Sequence, residues 1–152
     1  MDNVVELQFI RLIQTHLDND WFVYVMEAFS FLFNFPFFPI VLCVCLYLKY
    51  MTLPQLLVIC IGQIFLIAIK YIIKRKRPFH YRGIKRLDRM PFDNYSFPSN
   101  HAYNAFILSF LLNSTLYYIP YIVSFSRVYL GVHYPTDTIG GALLALCCSY
   151  FL

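Results

Sequence analysis

Leu53-Pro54-Gln55-Leu56-Leu57-Val58-Ile59-Cys60-Ile61-Gly62-Gln63-Ile64-Phe65-Leu66-Ile67-Ala68-Ile69-Lys70-Tyr71-Ile72-Ile73 is an apolar run whose first charge is Lys70. A hydrocarbon core about 30 Å thick is crossed by about 20 helical residues, so this stretch reads as a transmembrane helix. The rest of the chain has the same character. It is 60% hydrophobic and 13% charged, against about 25% charge in soluble domains. Its 152 residues suit one domain. The expected fold is therefore all-α, a polytopic membrane helix bundle.

Working outward, three more apolar stretches appear: Trp21 to Leu48, Ala102 to Phe125 and Thr138 to Leu152. The first exceeds one helix and holds Pro36 and Pro39, so it reads as an interfacial lead-in followed by a span from about Phe35 to Leu48. The second holds Asn113, Ser114 and Pro120, which suggests two shorter helices around a tight turn. About five transmembrane helices result. Ahead of them, Val4, Leu7, Ile10, Ile13 and Leu17 recur at helical spacing with polar residues between, which predicts an amphipathic N-terminal helix lying flat on the membrane surface. That segment lacks the basic region and small-residue cleavage site of a signal peptide. The cysteines Cys43, Cys45, Cys60, Cys147 and Cys148 sit inside apolar stretches and read as small hydrophobes, because no metal-ligand spacing with histidine accompanies them.

Charge is concentrated in one loop. From Lys70 to Asp93 the net charge is +7, against −3 for the remainder, within an overall +4. A basic cradle for an anionic substrate and a topology signal facing anionic headgroups are both consistent with it. Span counting adds a geometric expectation. The helix ending near Lys70 to Pro78 and the one starting near Ser99 meet one membrane face, and the following two make a round trip back to it at Arg127 to Tyr134.

Three polar pieces converge at that face. Lys70 and Arg77 are seven residues apart, which puts them on one side of a helix that persists through both, where two cations could grip one polyanion. Snorkelling of Lys70 to the headgroups is the alternative, and Lys74, Arg75 and Lys76 are expected to face headgroups. In Phe97-Pro98-Ser99-Asn100-His101, Pro98 suits a first helical turn, and the helix start would offer unpaired N–H groups to an anion. Ser99 adds a hydroxyl and His101 a group that titrates near neutrality; an ordinary capped helix is the alternative. The third piece is Ser126-Arg127 followed by His133 and Asp137. The planar fork of Arg127 matches phosphate oxygens. Asp137, four residues after His133, can hold one imidazole nitrogen and leave the other outward as general base or nucleophile, or the pair can simply cap the last helix.

Lys70 with Arg77-Pro78, Pro98-Ser99-x-His101, and Ser126-Arg127 with His133 and Asp137 resemble, in order and spacing, the three signature motifs of the type 2 phosphatidic acid phosphatase superfamily. The resemblance covers about Leu53 to the end, and the small size is similar to compact members that dephosphorylate polyprenyl diphosphates. It implies a single domain over 1–152, with an interfacial helix in 1–20 and a motif-bearing core in 53–152. It further implies His133 as the nucleophile that becomes a phosphohistidine, Asp137 as its orienting partner and His101 as acid and then base. Lys70, Arg77, Ser99, Asn100 and Arg127 would hold the phosphate, without metal or cofactor. The family usually carries Gly where this chain has Asn100; asparagine tolerates similar backbone conformations and adds an amide.

The expected activity is hydrolysis of a lipid phosphomonoester or diphosphate. A lipid phosphotransferase using the same site and a catalytically silent protein binding anionic lipid are the alternatives. The expected partners are that lipid substrate and membrane lipids, with no nucleic acid.

Overall fold

The computed structural model describes residues 4–89, 94–112 and 117–152. Seven α-helices carry these residues: α1 Val4–His16, α2 Asp20–Phe31, α3 Phe37–Tyr47, α4 Leu53–Ile73, α5 Asn100–Leu111, α6 Tyr118–Tyr129 and α7 Pro135–Ser149, with one 3-10 turn at Pro78–His80. No strand occurs among the described residues.

Helix α4 has 21 residues, about 31 Å, and among the described helices it is the one long and apolar enough to cross a membrane. It starts with a Thr52 to Gln55 capping box, Pro54 in its first turn and ends where Lys74 turns left-handed at φ 52°. The other helices run from 11 to 15 residues. At 11 residues, α3 is about 16 Å long, shorter than the expected span from Phe35 to Leu48.

The expected lead-in is itself a helix. Asn19 caps α2 by accepting from the N–H of Trp21 at 2.9 Å, and α2 packs on α6 through Val23, Met26 and Ser30. Asn113 and Ser114 lie outside the described residues. Pro120, expected in the turn between two spans, stands in the first turn of α6, where its missing N–H disturbs no helical bond.

Helix α1 forms as expected but is seated differently. Leu7 and Ile10 are buried against Ile84, Val128 and Tyr134, so the stripe expected to meet lipid instead meets protein. Gln14 secures it, donating to the carbonyls of Lys85 and Tyr129 at 2.8 and 2.9 Å. Val5, Phe9 and Leu12, one helical stripe apart from the buried face, are left exposed.

At the centre, α5 packs along α7 and α6, and α4 covers α7. Ile59, Leu66, Tyr103, Ile107, Val123 and Ala145 form the core of this contact. Gly141 allows it: a β-carbon there would stand 2.5 Å from the carbonyl oxygen of Ser99. Outside this core, Leu57, Ile61, Ile64 and Phe65 of α4 and Ile139, Leu143 and Leu146 of α7 are exposed, an apolar belt around the bundle.

Candidate active site

The left-handed Lys74 stops α4 short of Arg77, so the two cations do not share a helix as the seven-residue spacing suggested. Instead the chain folds back. Ser96 donates its N–H to the carbonyl of Arg75 at 2.9 Å, and Lys70 Nζ donates to the carbonyl of Tyr95 at 3.1 Å. This brings the start of α5 beside the end of α4.

Ser99 is the N-cap of α5, accepting from the N–H of Ala102 at 3.4 Å and donating its own N–H to the carbonyl of Asp137 at 2.9 Å. Its hydroxyl oxygen thereby caps the helix start, and its O–H remains able to donate. Pro98 precedes this cap instead of standing in the first turn. Asn100 and His101 follow as the first helical residues.

At the far end of α6 the chain reverses through Gly131, at φ 75°, where a β-carbon would strike the carbonyl of Lys85. Val132 and His133 then donate their N–H groups to the carbonyl of Arg127 at 3.3 and 3.2 Å, placing His133 beside that arginine. Pro135 opens α7, and Asp137 reaches back as its capping carboxylate, with Oδ2 accepting from the N–H of Tyr134 at 2.8 Å.

His133 is held from both sides. Its Nδ1 faces Asp137 Oδ2 at 3.4 Å, and its Nε2 lies 3.3 Å from Arg77 Nη1, which also donates to the carbonyl of Val132 at 2.8 Å. A ring nitrogen facing a guanidinium presents its lone pair, so with Nδ1 toward the carboxylate the lone pair of Nε2 lies on the side of Arg77. Both side chains are almost fully enclosed, with His133 at 2% and Asp137 at 0%.

Lys70, Arg77, Asn100, His101, Arg127 and His133 line one end of a cavity of about 780 Å³. Asn100 Oδ1, His101 Nε2 and Arg127 Nε are each buried without a hydrogen-bond partner among the described residues. Each such atom costs about 1–3 kcal/mol if left unmet, so this end of the cavity is suited to polar contents, water or a ligand. The other end is apolar, walled by Phe38 and Leu42 of α3 and by Leu56, Ile59, Ile64 and Ile67 of α4. Between the ends, Gln63 donates to Asn104, which donates to the carbonyl of Phe33 at 2.8 Å. Among the described residues no group of three His, Cys, Asp or Glu side chains is placed to hold a metal ion.

Three ion pairs behind the cavity were not legible in the sequence. Arg127 Nη2 pairs with Asp88 Oδ2 at 2.5 Å and Nη1 donates to Ser30 Oγ at 3.2 Å. Arg75, expected to face headgroups, turns inward: Nη1 donates to Asp137 Oδ1 and Nη2 to Glu6 Oε2, both at 2.7 Å. Burial lowers the pKa of Arg75, but Asp137 and Glu6 outweigh it and leave the guanidinium above its ordinary value. The partners lie 39 and 62 to 69 residues away in the chain, so no local pattern marks them.

The chain is similar to known proteins in sequence and in fold. An archaeal undecaprenyl-diphosphatase from Sulfolobus acidocaldarius is 35% identical over 89 residues, which are 53% of this chain and 43% of that protein. The chain thus spans less than half the length of that curated relative. The crystal structure of Aquifex aeolicus LpxE superposes with a TM-score of 0.80 at 23% identity, covering 98% of this chain and 94% of that one. That of a transmembrane PAP2 type phosphatidylglycerolphosphate phosphatase from Bacillus subtilis gives 0.72 at 24% identity, covering 97% and 84%. These structures share the fold. The PAP2 superfamily model matches residues 50–152, the stretch that supplies Lys70, Arg77, Asn100, His101, Arg127 and His133, and the chain belongs to that superfamily.

Proposed function

We propose that this protein is a membrane-embedded lipid phosphatase, hydrolysing a phosphomonoester or diphosphate carried on a lipid through a phosphohistidine. The observation that carries this is the single cavity joining a cationic, two-histidine end to an apolar groove. From Leu56 to Lys70 along α4 that groove runs about 21 Å, suited to an extended hydrocarbon chain. The bundle sits in the membrane with α4 crossing it and α3, α5, α6 and α7 packed around it as the remaining, shorter helices of an expected five-span core, a placement supported by the exposed apolar side chains of α4 and α7.

In the reaction, Lys70, Arg77 and Arg127 hold the non-bridging phosphate oxygens, where charge accumulates in phosphoryl transfer. His133 Nε2 attacks phosphorus, forming a P–N bond as the bond to the lipid oxygen breaks. Protonated His101 gives its proton to that leaving oxygen. Asp137 holds the positive ring of the phosphohistidine. His101, now neutral, takes a proton from water, whose oxygen attacks phosphorus and releases His133 with inorganic phosphate. Asn100 supplies an amide at the same cavity end, and Ser99 shapes the helix start that presents it.

The test is phosphate release by the purified protein in detergent micelles containing EDTA, with phosphatidate, phosphatidylglycerophosphate and a polyprenyl diphosphate each offered. Release from at least one is expected, inhibited by vanadate. His133→Ala should lower kcat by about 10⁴-fold or more, the size seen when a nucleophile is deleted. Full turnover by that variant would remove His133 from the role.

A further inference from the structure

The N-terminal helix lies outside the three motifs, yet it reaches the nucleophile through two side chains. Glu6 of α1 accepts from Arg75 Nη2 through Oε2 at 2.7 Å, and from both the N–H and the hydroxyl of Thr136 through Oε1 at 2.8 Å. Arg75 closes the ring, donating from Nη1 to Thr136 Oγ1 at 2.6 Å and to Asp137 Oδ1 at 2.7 Å. Its guanidinium carbon also lies over the Tyr134 ring, 3.8 Å from the ring centre.

Asp137 is consequently gripped at both oxygens. Oδ2 takes the Tyr134 N–H and faces His133 Nδ1, while Oδ1 is tied to Arg75. Without Arg75 the carboxylate would be held through Oδ2 alone, by the Tyr134 N–H, and its plane could tilt about that one contact and change the approach of Oδ2 to the imidazole. The tautomer and direction of His133 depend on that oxygen, because a carboxylate on one ring nitrogen decides where the other aims its lone pair.

We propose that Arg75 and Glu6 are positioning residues for the nucleophile, and that α1 is through them a working part of the active site rather than only a surface anchor. This rests on the phosphatase reading above. Neither residue lines the cavity, so neither contacts substrate. The consequence is specific: their loss should act on turnover and leave substrate binding alone, since a positioning defect weakens the transition state more than the ground state.

Steady-state kcat and KM are measured on micellar phosphatidate, or on whichever lipid phosphate the wild-type protein hydrolyses, for Arg75→Ala, Arg75→Lys, Glu6→Gln and the double variant Glu6→Gln/Arg75→Ala. Arg75→Ala should lose roughly 10- to 100-fold in kcat, the size met when an outer partner of a site residue is removed, with KM within about twofold. Arg75 is 24% exposed, so millimolar guanidinium ion should restore part of that turnover where urea does not. Glu6→Gln should lose less, and the double variant no more than Arg75→Ala alone, because one chain of contacts is broken only once.

Wild-type kcat in Arg75→Ala, a loss confined to KM, or a loss that neither guanidinium nor lysine repairs would overturn the assignment. Should Arg75→Ala not fold, Glu6→Gln with wild-type kcat overturns it equally. Absence of phosphate release by the wild-type protein on the whole substrate panel would instead overturn the phosphatase reading itself.

Discussion

A guanidinium enclosed as fully as that of Arg127, 2% exposed, needs a counter-charge, and Asp88 supplies it from the loop before α5. The pair leaves Nε unpaired at the cavity, so Asp88 and Ser30 set the angle at which Arg127 faces it. Removing one member of a buried pair strands the other, at about 3–5 kcal/mol. Asp88→Ala is therefore expected to lower the thermal midpoint in detergent by roughly 10 °C, at 2–4 °C per kcal/mol for a chain of this size. Asp88→Asn keeps an acceptor and should lose less than half of that. An unchanged midpoint for Asp88→Ala, followed by circular dichroism, would show that Arg127 finds another partner.

The residues that meet at the cavity were legible because each brings its own local signal. His133 and Asp137 are spaced for one turn, Arg127 stands at the end of an apolar run, and His101 follows a helix-starting Pro-Ser. Arg75 shows where that legibility stops. In Lys74-Arg75-Lys76-Arg77 four cations look alike, and only the left-handed turn at Lys74 sends Arg75 toward Asp137 rather than outward. Glu6 and Asp88 carry no signal either, since their partners are fixed by packing between distant segments.

At the scale of elements, the site depends on how closely α5 and α7 approach, because His101 starts one and Asp137 the other. Gly141 sets that distance. A methyl group there would sit 2.5 Å from the Ser99 carbonyl oxygen and 3.1 Å from the Tyr103 nitrogen, both backbone atoms that cannot swing aside. Gly141→Ala should push the helix starts apart, at about 1–3 kcal/mol of stability. A displacement near 1 Å between His101 and His133 would lower kcat by up to about 100-fold. Comparison of kcat with the thermal midpoint checks this, and a variant with wild-type values of both would mean that the helices slide without separating. Helix lengths were less legible than helix positions. Hydropathy located α4 and α7 well, but α3 is shorter than its apolar run and α6 continues past Phe125 to Tyr129, because hydropathy reports solvent preference and not where the backbone turns.

Across the whole molecule, the phosphate end and the apolar groove make separate demands that one substitution can set apart. Ile64 lines the groove from α4, is 66% exposed and lies six residues before Lys70, about 9 Å along the helix axis. A tryptophan there has open space on its outer side, so the fold should tolerate it while the ring narrows the path of a hydrocarbon chain. For a long-chain lipid phosphate, Ile64→Trp is expected to raise KM by roughly tenfold, equivalent to about 1.4 kcal/mol of lost chain contact. A short-chain phosphatidate, whose acyl tails end before the obstruction, should keep its kcat/KM within about twofold. The chemistry at His133 is identical for both substrates, so a difference between them reads the groove alone. Equal losses for both would mean that Ile64→Trp disturbs the phosphate end, and no loss for either would mean that the lipid chain leaves the protein by another route, directly into the bilayer from the level of Gln63 and Asn104.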